Sequence, residues 1–470
     1  MIESTEAART FKGHWWLPEE PDRRVPGVLS IDRLRKSQLE LIGHLGGELD
    51  SLYAERYQRV LGISTDGKLF TLMDCVVVNS TMSWHGSGSE RLNVQFVYLG
   101  ACYDSSDDIL FDGFTVRYGN LENWMDNRSF RVETDRMSNE GRIHYVKPEP
   151  VALRYEDMEL ELITGFTHNW TNTQQHLEER CSILVKPVDR QLAPTDIFKM
   201  TSRLRGFLTL AMGYSTEPVS ITGQLRSSSS DSDEPTRQTS VEMHYPIVRP
   251  QVGVREVRRH EMLLTLRDLG DRILQIIPRW LSVAEDLEPV VNLYFSALYN
   301  PLVYAENEFL ALTQAAETYH RVRIGGRYIP DSEFMSGLYP ALVEVIPSDT
   351  ERGFRDSLMQ GKLRYANEFS LRRRLTELIR RLADLDVPTF GNPCLARALV
   401  SKVCDTRNYL THYDPVLRGS AAEGEELYSL TLRLRAMLEI LLLQELGLEQ
   451  DEIANLIRKN SGLRYRLGLA

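Results

Sequence analysis

The hydrophobic pattern of this chain changes its period near residue 255, and that change limits what the chain can fold into. From about residue 11 to 225, short apolar or alternating runs recur roughly every ten residues with turn residues between them. They fall at 25–31, 68–78, 92–99, 114–118, 142–146, 160–166 and 182–185, with Gly43, Gly46, Gly88 and Gly113 among the punctuation. A helix is expected over 196–212, and another apolar run follows at 241–248. Beyond 255 the period settles near 3.6, predicting helices over 255–280, 290–299, 305–322, 349–369, 370–385 and 394–410.

The fold class that follows is multidomain α+β: a β-rich N-terminal sandwich or partly closed barrel over 1–250, connecting helices over 251–300, and an all-α bundle over 301–470. The serine-rich, charged stretch 226–238 cannot bury enough area to order itself and reads as a mobile loop. No apolar run reaches the roughly 18 residues a membrane span needs, so no membrane partner is expected. The acidic start Glu3 and Glu6 carries no leader pattern. Five scattered cysteines, Cys75, Cys102, Cys181, Cys394 and Cys404, show no metal-ligand spacing and fit a reducing, cytoplasmic setting with no metal and no cofactor.

Net charge is −11, which argues against coating nucleic acid by bulk attraction. The excess is uneven, about −10 before residue 301 and about −1 after it. A local nucleic-acid site therefore belongs in the helical part. There, Arg372, Arg373, Arg374, Arg380 and Arg381 crowd one expected helix, where they either grip a phosphate backbone or pair with Glu368, Glu377 and Asp384 on a solvated face. Trp15 and Trp16 offer a stacking surface or, more simply, core.

The segment richest in chemistry is Asp405-Thr406-Arg407-Asn408-Tyr409-Leu410-Thr411-His412-Tyr413-Asp414. An arginine followed five residues on by a histidine also occurs at Arg9/His14 and Arg255/His260, so spacing alone says little. Context separates the third case. Ala396, Leu399, Val400 and Val403 form an apolar stripe, and Arg407 falls on it, where a guanidinium must find hydrogen bonds or water. In an unbroken helix His412 lies about 140° from Arg407, too far to share a target. Either the helix ends near Leu410, a break that Pro415 and Gly419 favour, or two copies of the segment meet.

Such a pair suits RNA cleavage. Attack by the 2′-hydroxyl on the adjacent phosphorus needs a base and an acid, which a histidine titrating near neutrality supplies, and a fork of donors on the phosphate, which arginine supplies. Asn408 is placed to orient the histidine or the substrate, and Thr406, Thr411, Tyr409 and Tyr413 to line the site. The bland alternative pairs Arg407 with an acid such as Glu317 and makes His412 a helix-end cap.

Arg407-Asn408-Tyr409-Leu410-Thr411-His412 resembles the signature of the HEPN superfamily, an arginine, four to six residues and a histidine, with Asn or Asp often after the arginine. The run from Phe309 to Glu317, Leu371-Arg372-Arg373-Arg374-Leu375, Trp15-Trp16-Leu17-Pro18, Val25-Pro26-Gly27 and Leu121-Glu122-Asn123-Trp124 extend the likeness to the ApeA type of HEPN protein and its N-terminal domain. The resemblance implies an anti-phage abortive-infection endoribonuclease that works without metal as a dimer or tetramer. It implies transfer RNA as substrate, 2′,3′-cyclic phosphate ends as product, and an N-terminal domain that senses or restrains, with a phage-derived trigger. Arg407 and His412 carry over as catalytic, with Asn408, Thr411, Tyr413 and Glu317 in support. The alternative is a non-catalytic HEPN dimerisation scaffold whose β-rich domain binds a phage component.

Overall fold

The computed structural model describes residues 9–32, 37–46, 55–81, 88–135, 140–225, 239–245, 256–299 and 304–469. The expected loop at 226–238 and Arg255 lie outside them. The chain divides into two compact units, 1–278 and 279–470, the division falling within the helix Ile273–Asp286, inside the stretch expected to connect the domains.

In the first unit, β1 (Arg9–Trp16), β2 (Val25–Ile31), β3 (Ser37–Ile42), β4 (Arg56–Ser64), β5 (Leu69–Thr81) and β6 (Ser89–Leu99) form a closed six-stranded antiparallel barrel. Its order is β6-β3-β2-β1-β4-β5, and β5 pairs back onto β6 to complete the ring. Alternation drives the closure: β3 buries Ser37, Leu39 and Leu41 and exposes the residues between them. Trp15 is fully buried with its ring 5.4 Å from that of Phe70. Gly62 makes room for it, since a Cβ there would stand 2.1 Å from the indole. Trp16 turns the other way and lies under the guanidinium of Arg24 at 4.7 Å. Both tryptophans therefore serve packing.

Eight more strands follow: β7 (Gly113–Tyr118), β8 (Phe130–Asp135), β9 (Glu140–Tyr145), β10 (Val151–Tyr155), β11 (Met158–Trp170), β12 (Gln175–Pro187), β13 (Pro218–Leu225) and β14 (Thr239–His244). The sheet runs on from β6 through β14-β13-β7-β12-β11-β10, while β8 and β9 make a separate hairpin. The helix Pro194–Met212 lies between β12 and β13 in sequence. It is tied to the sheet by the Tyr118 hydroxyl donating to the Thr201 carbonyl at 2.7 Å, and Trp124 of the short helix Leu121–Met125 meets its Phe207 edge-on.

One sequence expectation fails here. The helix expected over 255–280 begins only at Ile273. Thr265 caps a short turn, Leu266–Leu269, by accepting from the Asp268 amide at 3.1 Å, and Gly270 at φ 52° ends it. The apolar residues Val257, Met262 and Leu263 are buried as expected, but from irregular backbone.

The second unit is helical. Glu288–Tyr299, Ala305–Arg323, Leu371–Arg381, Pro393–His412, Gly424–Glu445, Gln450–Lys459 and Ser461–Leu467 are its main helices. Expected helix 349–369 is instead the short Arg352–Asp356 followed by a wide π turn, Ser357–Lys362. Gly424–Glu445 forms the core, with every residue from Ala436 to Leu443 buried. Its one deeply buried acid, Glu439, is held by Arg466 at 2.8 and 3.0 Å, Arg435 at 3.0 Å and the Tyr294 hydroxyl at 3.0 Å. Among the described residues no helix is long and apolar enough to cross a membrane.

Candidate functional site

Asn392 starts the helix that carries the candidate residues, its side chain accepting from the amides of Cys394 at 2.9 Å and Leu395 at 3.2 Å, with Pro393 in the first turn. Leu399, Val400, Val403, Cys404 and Thr406 are its buried face. That face packs on the helices Leu371–Arg381 and Ala305–Arg323. The helix runs two residues past Leu410 and stops at His412, where Tyr413 takes the left-handed conformation, φ 51°, and returns its amide to the Tyr409 carbonyl. Asp414 accepts from the Val416 amide at 3.0 Å, and the turn leads back to Ala422, whose amide donates to the buried Thr406 hydroxyl at 2.9 Å.

Arg407 is half-buried at the end of the packing face and donates to the Asn408 side-chain oxygen at 3.2 Å. Among the described residues it makes no ion pair. Its carbonyl accepts from the Thr411 hydroxyl at 2.7 Å. His412 is exposed, as are Thr411 and Tyr413. Because the helix is unbroken through His412, the two candidate catalytic side chains point about 140° apart, and one chain does not aim them at one atom. Asn408 is brought to Arg407, not to His412.

Glu317 goes elsewhere. It pairs with Arg321 one turn on, at 3.3 Å, and Arg321 reaches Glu368 at 2.6 Å. All three helices nonetheless converge on the Cys404 thiol. Burial pushes its pKa up to about 11, Arg372 and Arg407 pull it down, and Asp405 and Glu317 push it up. Arg407 and Glu317 therefore share one neighbourhood without touching.

The arginine-rich helix divides by role. Arg374 is buried and spends its donors on the carbonyls of Gly325 and Phe369, at 2.7 and 3.0 Å, and on Nδ1 of His320 at 3.1 Å. Since a guanidinium only donates, His320 Nδ1 accepts and Nε2 donates to Glu377 at 2.8 Å. With Nη2 also donating to the Gly326 carbonyl at 3.4 Å, four of the five N–H groups of Arg374 are engaged, and the buried side chain is not presented to a phosphate. Arg373 lies over the Phe369 ring at 3.6 Å and pairs with Glu377, and Arg372 reaches Asp405 at 3.6 Å. Arg380 and Arg381 are exposed with no ion pair among the described residues.

Sequence reasoning missed the concavity beside this site. A groove of about 470 Å³ is lined by Tyr304 and Asn307 at the start of one helix, by Tyr409, Leu410 and Tyr413, and by Leu427. Three separate segments build it, so no local pattern announces it; the one local sign was the pair of tyrosines four apart flanking His412. The other two arginine–histidine spacings are inert. Arg9 and His14 project to opposite sides of β1, with Arg9 paired to Glu242 at 2.7 Å, and His260 is exposed in a short irregular segment. Among the described residues no group of three or more His, Cys, Asp or Glu could hold a metal ion.

Two comparisons bear on this geometry. A family model described as ApeA N-terminal domain 1 matches residues 10–280, and one described as Apea-like HEPN matches residues 310–452. The second match contains the whole helix that bears Arg407 and His412. No curated protein and no solved structure matches the chain.

Proposed function

This chain belongs to the ApeA-type HEPN proteins, an anti-phage nuclease family, and from that premise we propose that it is a metal-independent endoribonuclease whose site is completed by a second copy of the chain. The observation that carries the reading is the placement of Arg407 and His412 on one unbroken helix, about 140° apart, with Arg407 half-buried and, among the described residues, in no ion pair, and His412 exposed. An unpaired guanidinium at the rim of a packing face is costly unless an anion completes it. RNA phosphate is that anion, and the partner's His412 is the proton carrier.

In the reaction the substrate's 2′-oxygen attacks phosphorus as a histidine takes its proton. The bond from phosphorus to the 5′-oxygen then breaks, and that oxygen leaves with a proton from a histidine. The products are a 2′,3′-cyclic phosphate and a 5′-hydroxyl. Arg407, its plane fixed by Asn408, gives its remaining donors to the non-bridging oxygens as charge builds there. Transfer RNA is the substrate the family suggests, and the exposed Arg372, Arg373, Arg380 and Arg381 are the side chains that would follow its backbone. The β-rich unit restrains the nuclease until a phage-derived trigger engages it, in the cytoplasm, in a dimer or tetramer.

The test is cleavage of transfer RNA by purified full-length protein in the presence of chelator. Wild type should cleave and leave cyclic phosphate ends, and His412→Ala should be slower by roughly 10²–10⁴. Equal rates for the two, or a strict need for added divalent metal, would overturn the proposal.

A further inference from the structure

The groove beside the helix end has the features of a base-reading pocket, and we propose that it holds one unstacked guanine of the RNA substrate next to the cleaved phosphate. The proposal rests on the nuclease reading for the identity of the ligand as RNA.

Position comes first. With Arg407 at zero on the helix, His412 falls at about 140°, and Tyr409 and Leu410 at about 200° and 300°. The face that lines the groove therefore lies between the two candidate catalytic positions. A nucleotide whose phosphate is at Arg407 or His412 has its base within reach of that face.

The chemistry of the lining decides which part of a nucleotide enters. Tyr304 is 80% exposed and Tyr413 is 67% exposed, so both aromatic rings offer a face to a ligand in the groove. Tyr413 meets Tyr409 edge-on at 5.7 Å and sits at φ 51°, where glycine or asparagine closes a helix at less cost. The turn itself thus does not explain a tyrosine there, whereas a stacking face for a base does. Glu306 and Glu423 also line the groove, and their charge repels phosphate, so the base and not the backbone occupies it.

Those groups also select among bases. Glu306 makes no ion pair among the described residues, leaving both its carboxylate oxygens as acceptors. Guanine alone presents two adjacent donors, N1–H and the 2-amino group, on its pairing edge. Beside them its O6 accepts, which suits the exposed amide of Asn307. Adenine, cytosine and uracil each set an acceptor against the carboxylate.

The experiment uses full-length protein and short 2′-O-methyl oligoribonucleotides, which cannot be cut, each with one guanine in a uridine background, read by fluorescence anisotropy. Replacing that guanine should weaken binding by about tenfold in wild type. In Glu306→Gln the preference should shrink to under about twofold, while Tyr304→Ala should weaken every oligonucleotide alike. Base-independent binding by wild type, or a preference that survives Glu306→Gln, would overturn the proposal and leave the nuclease reading standing. Competition by guanosine 5′-monophosphate as strong as that of the oligonucleotide would reassign the groove to a free nucleotide and overturn it too. This arm needs neither Arg407 nor His412 for catalysis, so its failure is separable from failure to cleave. Absence of binding to any RNA would sink both.

Discussion

Arg407 and His412 differ in what their surroundings ask of them, and substitutions should separate the two roles. His412 is exposed and makes no hydrogen bond among the described residues, so His412→Ala should leave stability within about 0.5 kcal/mol while abolishing most cleavage. Arg407→Lys keeps the charge but loses the planar fork that Asn408 orients, and cleavage should fall by at least about tenfold with the fold intact. A lysine variant that cleaves like wild type would make Arg407 a point charge only. Arg407 on the apolar stripe was readable from the sequence, because periodicity alone reports which face a residue occupies. The partner of Glu317 was not, because Arg321 wins it from one turn away and Glu368 shares that arginine from a distant segment. Nor was the fate of Arg374, which looks like its neighbours in sequence but is the one that faces the Gly325 and Gly326 turn.

At the scale of elements, a buried clasp holds the helix end, the Thr406 hydroxyl accepting from the Ala422 amide. Thr406→Val keeps the shape and orphans that amide, which should cost about 1–3 kcal/mol in a denaturant melt and lower cleavage by loosening Tyr413 and His412. Glu439 plays the matching part for the core helix. Burial would raise its pKa, but Arg466 and Arg435 outweigh burial and hold it below the usual carboxylate value. A carboxyl whose pKa is depressed on folding contributes stability above its unfolded value, near 4.3, and that contribution is lost as pH falls through the folded value. Glu439→Gln should therefore cost about 3–5 kcal/mol at neutral pH by taking the carboxylate from the buried Arg466 guanidinium, and it should flatten the loss of stability in acid. A variant whose melts parallel wild type from pH 7 to pH 3 would refute this. Strands and most helices were readable because their burial repeats every two or 3.6 residues. Closure of the barrel was not, since it depends on β5 pairing with both β4 and β6. The 256–272 segment misled because buried residues from irregular backbone can mimic a helical period.

At the scale of the whole molecule, Arg407 and His412 of one chain either act on one phosphate or each act with the other chain's counterpart. The helix geometry favours the second arrangement, since 140° of rotation separates them and the helix does not break between them. Complementation distinguishes the two. Arg407→Ala and His412→Ala proteins are each expected to be inactive as homodimers. In a mixed dimer the chain with His412→Ala supplies an intact Arg407, and the chain with Arg407→Ala supplies an intact His412, so one of the two composite sites is wild type in both its members. Co-refolded or co-expressed in equal amounts, half of the dimers are mixed and each carries one working site of two, so about a quarter of wild-type activity should return. If the pair acted within one chain, every site in the mixture would lack one member and activity would stay at the level of the single variants. Recovery should vanish when either protein is diluted below the dimer's dissociation constant before mixing with substrate, because a site shared between chains exists only as long as the chains are paired.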